Sequence, residues 1–310
     1  MPIPDPTPTP NTPDPSAAKN QSLLLQRRLK RLRKSVRPRV KGPSFNKLVP
    51  NLLTLLGLCA GLTSIRFALN GHFNLAVIAL LIAACLDGVD GRIARLLRAT
   101  SHFGAEFDSL SDFLSFGVAP SLILYLWSLD HAGRYGFVPC IMFTVCMALR
   151  LARFNASLGL EESRIFLKPK YASNFFTGVP APAGAGLALF PIFLGLEGHK
   201  LQLEWLITFS HTPLLSALFL AGTSFLLVST LPVWSFKNFK VPAEYVLPLL
   251  LGTGGYTAIL VADPWGALAF AGILYLCMLP FSHRSYLRLK KDAHALKEAP
   301  DDPPQTSSMP

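Results

Sequence analysis

The chain has 310 residues, of which 51% are hydrophobic and only 15% are charged, and its formal net charge is +11. So few polar residues cannot cover a water-exposed surface, which excludes a soluble protein and indicates a membrane protein. The positive charge is also concentrated, because eleven of the 29 Lys and Arg lie between Lys19 and Lys47 while residues 51–86 contain only Arg66. This distribution excludes a soluble nucleic-acid-binding protein.

Two regions precede the apolar part of the chain. Residues 1–21 are rich in proline and predict a disordered tail. Residues 22–45 mix leucines with many cations, a pattern typical of an interfacial helix on anionic lipid. The same cations could instead serve only to orient the first membrane span. Both interpretations of the basic segment stay open.

Apolar segments then follow one another from residue 46 to residue 283, before a cytoplasmic tail at 284–310. A span needs about 20 apolar residues to cross a hydrocarbon core of about 30 Å. The predicted fold class is therefore an all-α polytopic membrane bundle of about eight helices. Cations cluster in alternate loops, which predicts that both termini are cytoplasmic. The spans are predicted at 48–69, 72–95, 107–129, 135–155, 174–196, 205–230, 244–262 and 265–283.

Four aspartates interrupt this pattern where the second and third spans meet the predicted cytoplasmic face. Asp87 and Asp90 are three residues apart on one helix, and Asp108 and Asp112 are four apart on the next, so each pair shares a helical face. A turn at residues 101–104 would bring the two faces together. Four carboxylates repel one another unless a cation neutralises them. Oxygen ligands select hard ions, so we predict a site for Mg²⁺, Mn²⁺ or Ca²⁺.

The residues around the aspartates indicate phosphate chemistry. Two hard ions suit displacement at phosphorus, because they can bridge the oxygens that gain charge. Gly91 and Ala94 would let a ligand approach the helix backbone, and Arg95 offers a forked guanidinium to a diphosphate. The alternative is an ion-paired hairpin without chemistry, but that needs about as many cations as carboxylates.

The complete spacing resembles the signature of the CDP-alcohol phosphotransferase family at every defined position. It reads Asp87-x2-Asp90-Gly91-x2-Ala94-Arg95-x8-Gly104-x3-Asp108-x3-Asp112. The resemblance implies that all four aspartates bind metal, with two ions expected, and that Asp112 also takes the proton from the acceptor alcohol. It further implies a site for CDP-diacylglycerol, with Thr54 of the Pro50-Asn51-Leu-Leu-Thr54 motif facing the cytidine. The implied donor-binding residues are Thr54, Asp87, Gly91, Ala94, Arg95, Gly104 and Asp108.

Within that family the chain is most similar to the membrane-embedded phosphatidylserine synthases, from about residue 50 to residue 240. The similarity rests on the motifs Arg150-Leu-Ala-Arg153-Phe-Asn155, Gly178-Val-Pro-Ala-Pro-Ala and Ser235-Phe-Lys237. It implies transfer of the phosphatidyl group of CDP-diacylglycerol to L-serine, with release of CMP at the cytoplasmic face of the inner membrane. A serine carboxylate needs a cation nearby, so the candidate serine-binding residues are Arg150, Arg153, Asn155 and Lys237.

Several points remain open at the level of the sequence. The two arginines could simply follow the positive-inside rule. The acceptor could be glycerol 3-phosphate or inositol phosphate, although a dianionic acceptor would favour further cations around its site. A cation transporter is a third interpretation, but its carboxylates should be spread across the depth of the bilayer. The family resemblance also implies a homodimer, and we expect anionic membrane lipids and no nucleic acid among the partners.

Overall fold

A computed structural model describes residues 45–97, 99, 101–164, 175–234 and 242–298. The proline-rich tail, nearly all of the basic segment and residues 299–310 lie outside the described residues. A π-helical segment at Phe113–Val118 joins α3 to α4, and a 3₁₀ segment at Leu129–Tyr135 joins α4 to α5. The helices of the first half are α1 (Phe45–Leu69), α2 (Phe73–Leu96), α3 (His102–Asp112), α4 (Ala119–Trp127) and α5 (Val138–Arg164).

The second half of the chain combines short helices with two long ones. Two three-residue strands, β1 (Phe175–Thr177) and β2 (Pro232–Trp234), pair in antiparallel fashion with Phe176 opposite Val233. This small ribbon is absent from the all-α prediction. The helices are α6 (Ala181–Ala188), α7 (Phe190–Leu201), α8 (Glu204–Ser210), α9 (Pro213–Val228), α10 (Ala243–Ala262) and α11 (Pro264–Glu298).

Six of the described helices are long and apolar enough to cross a membrane, or up to eight spans exist if each of two bent pairs counts as one. The run from His102 to Trp127 behaves as one such helix, although it includes the π-helical segment. These findings confirm the prediction of a helical integral membrane protein. The spans predicted at 174–196 and 205–230 are not straight, because α6 and α7 meet at 48° and α8 and α9 meet at 54°.

Proline accounts for where the bent pairs break. Pro191 lies in the first turn of α7, and Pro213 lies in the first turn of α9. Proline has no N–H to donate to the preceding turn, and its fixed φ suits the first turn of a new helix. Each proline therefore ends one helical segment and starts the next.

The apolar core is formed by residues of α2, the π-helical segment, α4, α5, α6, α7 and α9, and α5 packs most extensively on α9. The outer surface carries many exposed leucines, isoleucines and phenylalanines, as expected for helices that face lipid. The extreme case is α10, whose most apolar stretch of 18 residues is 0% buried. Core side chains with almost no exposed surface include Phe116, Ile123, Phe143, Met147, Ile192 and Leu220.

Candidate active site

The end of α2 and the start of α3 bring three of the four aspartates together. Asp87, Asp90 and Asp108 each offer one carboxylate oxygen, and these oxygens all lie within 4.8 Å of one another. The predicted turn forms because Ser101 caps α3, where its Oγ accepts a hydrogen bond of 3.0 Å from the backbone N–H of Gly104. A closed turn of this kind sets α3 directly after α2 and aligns the two acidic faces.

Asp112 lies at the edge of this triad. Its carboxyl group is within hydrogen-bonding reach of the Asp87 carboxyl group, and both line the same cleft. The cleft is narrow and partly open to its surroundings. Its lining residues are Thr54, Gly57, Ala83, Asp87, Asp90, Asp108, Ser111, Asp112, Ser115 and Phe116.

The donor set of the cleft fits a hard divalent cation. Among the described residues, no Lys or Arg lies within 4.0 Å of any of the four carboxylates, and none lines the cleft. The four carboxylates therefore form no ion pair with a described Lys or Arg. Three converging carboxylate oxygens without nitrogen or sulfur ligands match the preference of Mg²⁺, Mn²⁺ and Ca²⁺.

Thr54 contacts the acidic cluster directly. Its hydroxyl Oγ1 donates a hydrogen bond of 2.7 Å to Asp90 Oδ2, and both side chains are buried. The Oγ of Ser111 in turn donates to the backbone oxygen of Thr54 at 3.4 Å. These two contacts tie α1 to α2 and α3. Thr54 thus supports a candidate metal ligand, a contact that the sequence did not suggest.

The other residues assigned to the donor differ in their surroundings. Gly91 is exposed, and a Cβ placed there would meet no other atom within 4 Å, so this surface is open to a ligand. Ala94 is half-buried beside it, while Arg95 is exposed and donates from Nε to Gly91 O at 3.1 Å. A Cβ on Gly104 would instead lie 2.9 Å from Asn51 Oδ1. Close packing of α1 on α3 accounts for that glycine.

Arg150 and Arg153 on α5 both bind backbone carbonyls, but they differ in what remains free. The two Nη groups of Arg153 donate to the oxygens of Val228 at 2.9 Å and Leu227 at 3.3 Å, at the C-terminal end of α9. Arg150 donates from Nε to Val179 O at 2.6 Å, and its Nη groups make no hydrogen bond with the described residues. Of these two arginines, Arg150 alone has Nη groups without a hydrogen bond to a described residue, and its charge is near enough to Asp112 to interact with it.

Two further residues, Asn155 and Lys237, were predicted for the serine site, and the structure describes only the first of them. The amide Nδ2 of Asn155 donates to Ser109 Oγ at 2.9 Å, which links α5 to the helix that carries Asp108. Lys237 lies outside the described residues.

The sequence analysis did not identify Ser111 and Ser115 as cleft residues, although their spacing could have indicated them. They continue the spacing of Asp108 and Asp112 on one helical face, at intervals of three and four residues.

Comparison with known proteins agrees with this arrangement. A sequence profile of the CDP-alcohol phosphatidyltransferase family matches residues 47–214, and a profile named CDP-alcohol phosphatidyltransferase 2 matches residues 244–280. The CDP-diacylglycerol–serine O-phosphatidyltransferase of Mycobacterium leprae is 38% identical over 249 residues, which cover 79% of this chain and 78% of the relative.

Two further relatives come from other organisms. The protein of the same name from Helicobacter pylori strain 26695 is 34% identical over 229 residues, covering 74% of this chain and 88% of the relative. The archaetidylserine synthase of Methanothermobacter thermautotrophicus is 36% identical over 140 residues, covering 44% of this chain and 54% of the relative. The first profile spans more than half of the chain and includes every aspartate of the cleft. The chain therefore belongs to the CDP-alcohol phosphatidyltransferase family.

Proposed function

We propose that this protein transfers the phosphatidyl group of CDP-diacylglycerol to L-serine, giving phosphatidylserine and CMP. The observation that carries the proposal is the cleft in which Asp87, Asp90 and Asp108 converge while Asp112 lies beside them. The bacterial relatives support serine as the acceptor, because their names specify serine and their alignments cover most of this chain.

Asp87, Asp90 and Asp108 would hold Mg²⁺ or Mn²⁺, and we expect two ions. When bound, the metal supplies positive charge to the diphosphate oxygens that become more negative during transfer. Asp112 is the candidate base. Its carboxylate takes the proton of the serine hydroxyl while the serine oxygen bonds to phosphorus and the bond between that phosphorus and the CMP oxygen breaks. CMP leaves with the electron pair of the broken bond.

The donor and the acceptor would approach this cleft over different surfaces. The open backbone at Gly91 and Ala94, with Arg95 beside it, suits the diphosphate and nucleotide of the donor. Gly104 and Thr54 would shape that site indirectly, because Gly104 lets α3 pack closely on α1 and Thr54 holds Asp90. The free Nη groups of Arg150 suit the serine carboxylate, because a guanidinium binds a carboxylate with two parallel hydrogen bonds. Asn155 and Lys237 complete the proposed serine site, whereas Arg153, whose Nη groups both donate to backbone carbonyls of α9, supports it only by holding α9 against α5.

We further propose eight spans, with both termini and the active site on the cytoplasmic side of the inner membrane. The cations that flank the spans support this orientation. The bent pairs α6–α7 and α8–α9 would each count as one span. The protein would act as a homodimer, with the basic segment at residues 22–45 in contact with anionic lipid.

Two alternatives make different predictions. An acceptor alcohol that carries a phosphate group has two negative charges, so it would need further cations near Asp112 besides Arg150. A cation transporter would need carboxylates along a path through the bilayer, whereas the four aspartates gather in one cleft. We therefore favour the transferase with serine as its acceptor.

The test is CMP release by the purified protein in detergent from CDP-diacylglycerol. The arms of the experiment contain L-serine, glycerol 3-phosphate, inositol phosphate or no acceptor, each with and without divalent metal. We expect metal-dependent CMP release that serine stimulates most strongly, together with formation of phosphatidylserine. Stimulation by another alcohol instead of serine would reject the proposed acceptor, and no CMP release in any arm would reject the transferase.

A further inference from the structure

Ser115 is a buried polar residue in the wall of the cleft, and its hydroxyl finds no hydrogen-bonding partner in the described part of the chain. Its side chain is 2% exposed, and Oγ makes no hydrogen bond among the described residues. Burial without a partner is unfavourable for a hydroxyl, because it gives up its hydrogen bonds to water and gains none. Ser115 is therefore suited to a partner that the protein itself does not provide.

The backbone around Ser115 explains why its hydroxyl stays free. Several serines on the regular helices of this protein donate to a carbonyl of the preceding turn, as Ser109 does to Ala105 O at 3.0 Å and Ser224 to Leu220 O at 2.6 Å. Ser115 lies instead in the π-helical segment that starts directly after Asp112. Such segments are often found at functional sites, where they change the direction of a side chain.

Helix α1 closes one side of this hydroxyl. A Cβ on Gly61 would overlap Ser115 Oγ, so only the hydrogen of a glycine fits at that position. The other side is the cleft, which Ser115 lines together with Asp112, Gly57 and Ala83. Gly57, Ala83 and Ser115 lie further inside their spans than the metal-binding triad does. Ser115 is thus the hydroxyl at the inner end of the cleft.

We propose that the Ser115 hydroxyl donates a hydrogen bond to a non-bridging oxygen of the phosphate that is transferred. This inference rests on the proposed transferase function and adds a catalytic residue to it. In CDP-diacylglycerol the transferred phosphate is the one attached to the lipid, so it lies on the membrane side of the diphosphate. An anionic phosphate oxygen is also the acceptor that a hydroxyl donor stabilises most strongly.

The test compares Ser115→Ala with Ser121→Ala, a control on the following helix. Both serines are 2% exposed, but Ser121 Oγ is satisfied by Val118 O at 2.8 Å and by Thr144 Oγ1 at 3.1 Å. Ser115→Ala should lower kcat by about tenfold or more, with a melting temperature that is unchanged or higher. Ser121→Ala should keep kcat and lower the melting temperature.

A second variant reaches the same hydroxyl from α1. Gly61→Ala should displace Ser115 Oγ and lower kcat in the same direction, whereas Gly222→Ala should not, because a Cβ there meets no atom within 4 Å. The decrease in kcat should be equal with every acceptor alcohol that supports CMP release by the enzyme. The comparison of variants therefore remains valid even if serine is not the preferred acceptor.

Three outcomes would overturn the inference. One is wild-type kcat in Ser115→Ala, and another is a rise in the KM of the acceptor alone, which would assign the hydroxyl to the acceptor instead. The third is loss of folding in Ser115→Ala, since removal of a hydroxyl without a partner should not unfold the protein. Failure of the proposed function would look different, because the wild-type protein itself would then release no CMP or prefer another alcohol.

Discussion

The hydroxyl of Thr54 holds Asp90 in place from a neighbouring helix, 2.7 Å from Asp90 Oδ2. A partner of this kind fixes the direction of a carboxylate before metal binds, so less order has to be gained on binding. The same hydroxyl lies 3.1 Å from the backbone oxygen of Pro50. The Pro50 to Thr54 motif, which lies inside α1, therefore places a polar contact on the candidate metal site.

Thr54→Val should weaken metal binding without removing a ligand. We expect the metal concentration for half-maximal activity to rise about tenfold, in the range typical of outer hydrogen-bond partners. Thr54→Ser keeps the hydroxyl and should restore most of the affinity. Metal titration of CMP release measures the effect, and an unchanged half-maximal concentration in the valine variant would contradict the role.

Asp108→Asn should remove most of the turnover while the protein stays folded. The substitution preserves shape but takes one negative charge from the candidate metal site, and we expect a loss of about a hundredfold or more. Glu106→Gln on the same helix is the matched control, because Glu106 is exposed and should tolerate the change. Near wild-type turnover in Asp108→Asn, or a wild-type rate that survives chelation, would reject the metal cluster.

Arg150→Lys separates the two substrates. Lysine keeps the charge, but one ammonium cannot both bind Val179 O and offer a fork to a carboxylate. The KM for serine should therefore rise about tenfold while the KM for CDP-diacylglycerol changes little. Steady-state kinetics with each substrate varied in turn gives the answer. Equal increases for both substrates would indicate that Arg150 serves only packing.

The paired aspartates were predictable from the sequence because a helical period converts their spacing into a shared face. The partners of the arginines were not predictable. Arg150 and Arg153 look alike in the sequence, since both lie on one face of the same helix, but their contacts depend on residues that follow much later in the chain. Only the three-dimensional path of residues 179 and 227–228 distinguishes them.

At the scale of elements, Arg153 acts as a cap for α9. The last carbonyls of a helix have no partner within it, and Leu227 and Val228 find theirs in the Arg153 guanidinium. This contact fastens the end of α9 to α5, the two helices that pack most extensively on each other. The contact therefore stabilises the central pair of the bundle.

Arg153→Ala should lower stability more than it changes catalysis. Loss of the guanidinium removes two hydrogen bonds, at a cost of about 0.5–1.5 kcal/mol each. We expect a lower melting temperature and only a small change in the KM for serine. Arg134→Ala is the control, since Arg134 is exposed. A large selective rise in the KM for serine would instead place Arg153 in the serine site.

At the scale of the whole molecule, hydropathy predicted the positions of the long helices closely but not the bends. A hydropathy window counts apolar residues without regard to direction, so α6 with α7, and α8 with α9, look like straight spans. Pro191 and Pro213 mark the breaks, yet proline also occurs inside continuous helices here, as Pro280 does in α11. The three-residue strands are too short to show alternation.

The basic segment before the first span provides a prediction for the intact protein in a membrane. Removal of residues 1–33 should preserve activity in detergent and weaken the response to anionic lipid in vesicles. Each cation near such a surface contributes about 1 kcal/mol, and salt screens the effect. Vesicles of zwitterionic lipid are the control. An unaltered lipid response would leave the segment with a topological role only.

The cleft residues all come from one short stretch of the chain, between Thr54 and Phe116. A ribosome adds about 5–20 residues per second, so all four aspartates are synthesised within seconds of one another and before α5 begins. Their mutual repulsion is then already present in a nascent chain that lacks α6 to α11. Under the proposed function, the ion that balances this charge therefore has a site to bind during biogenesis as well as during turnover.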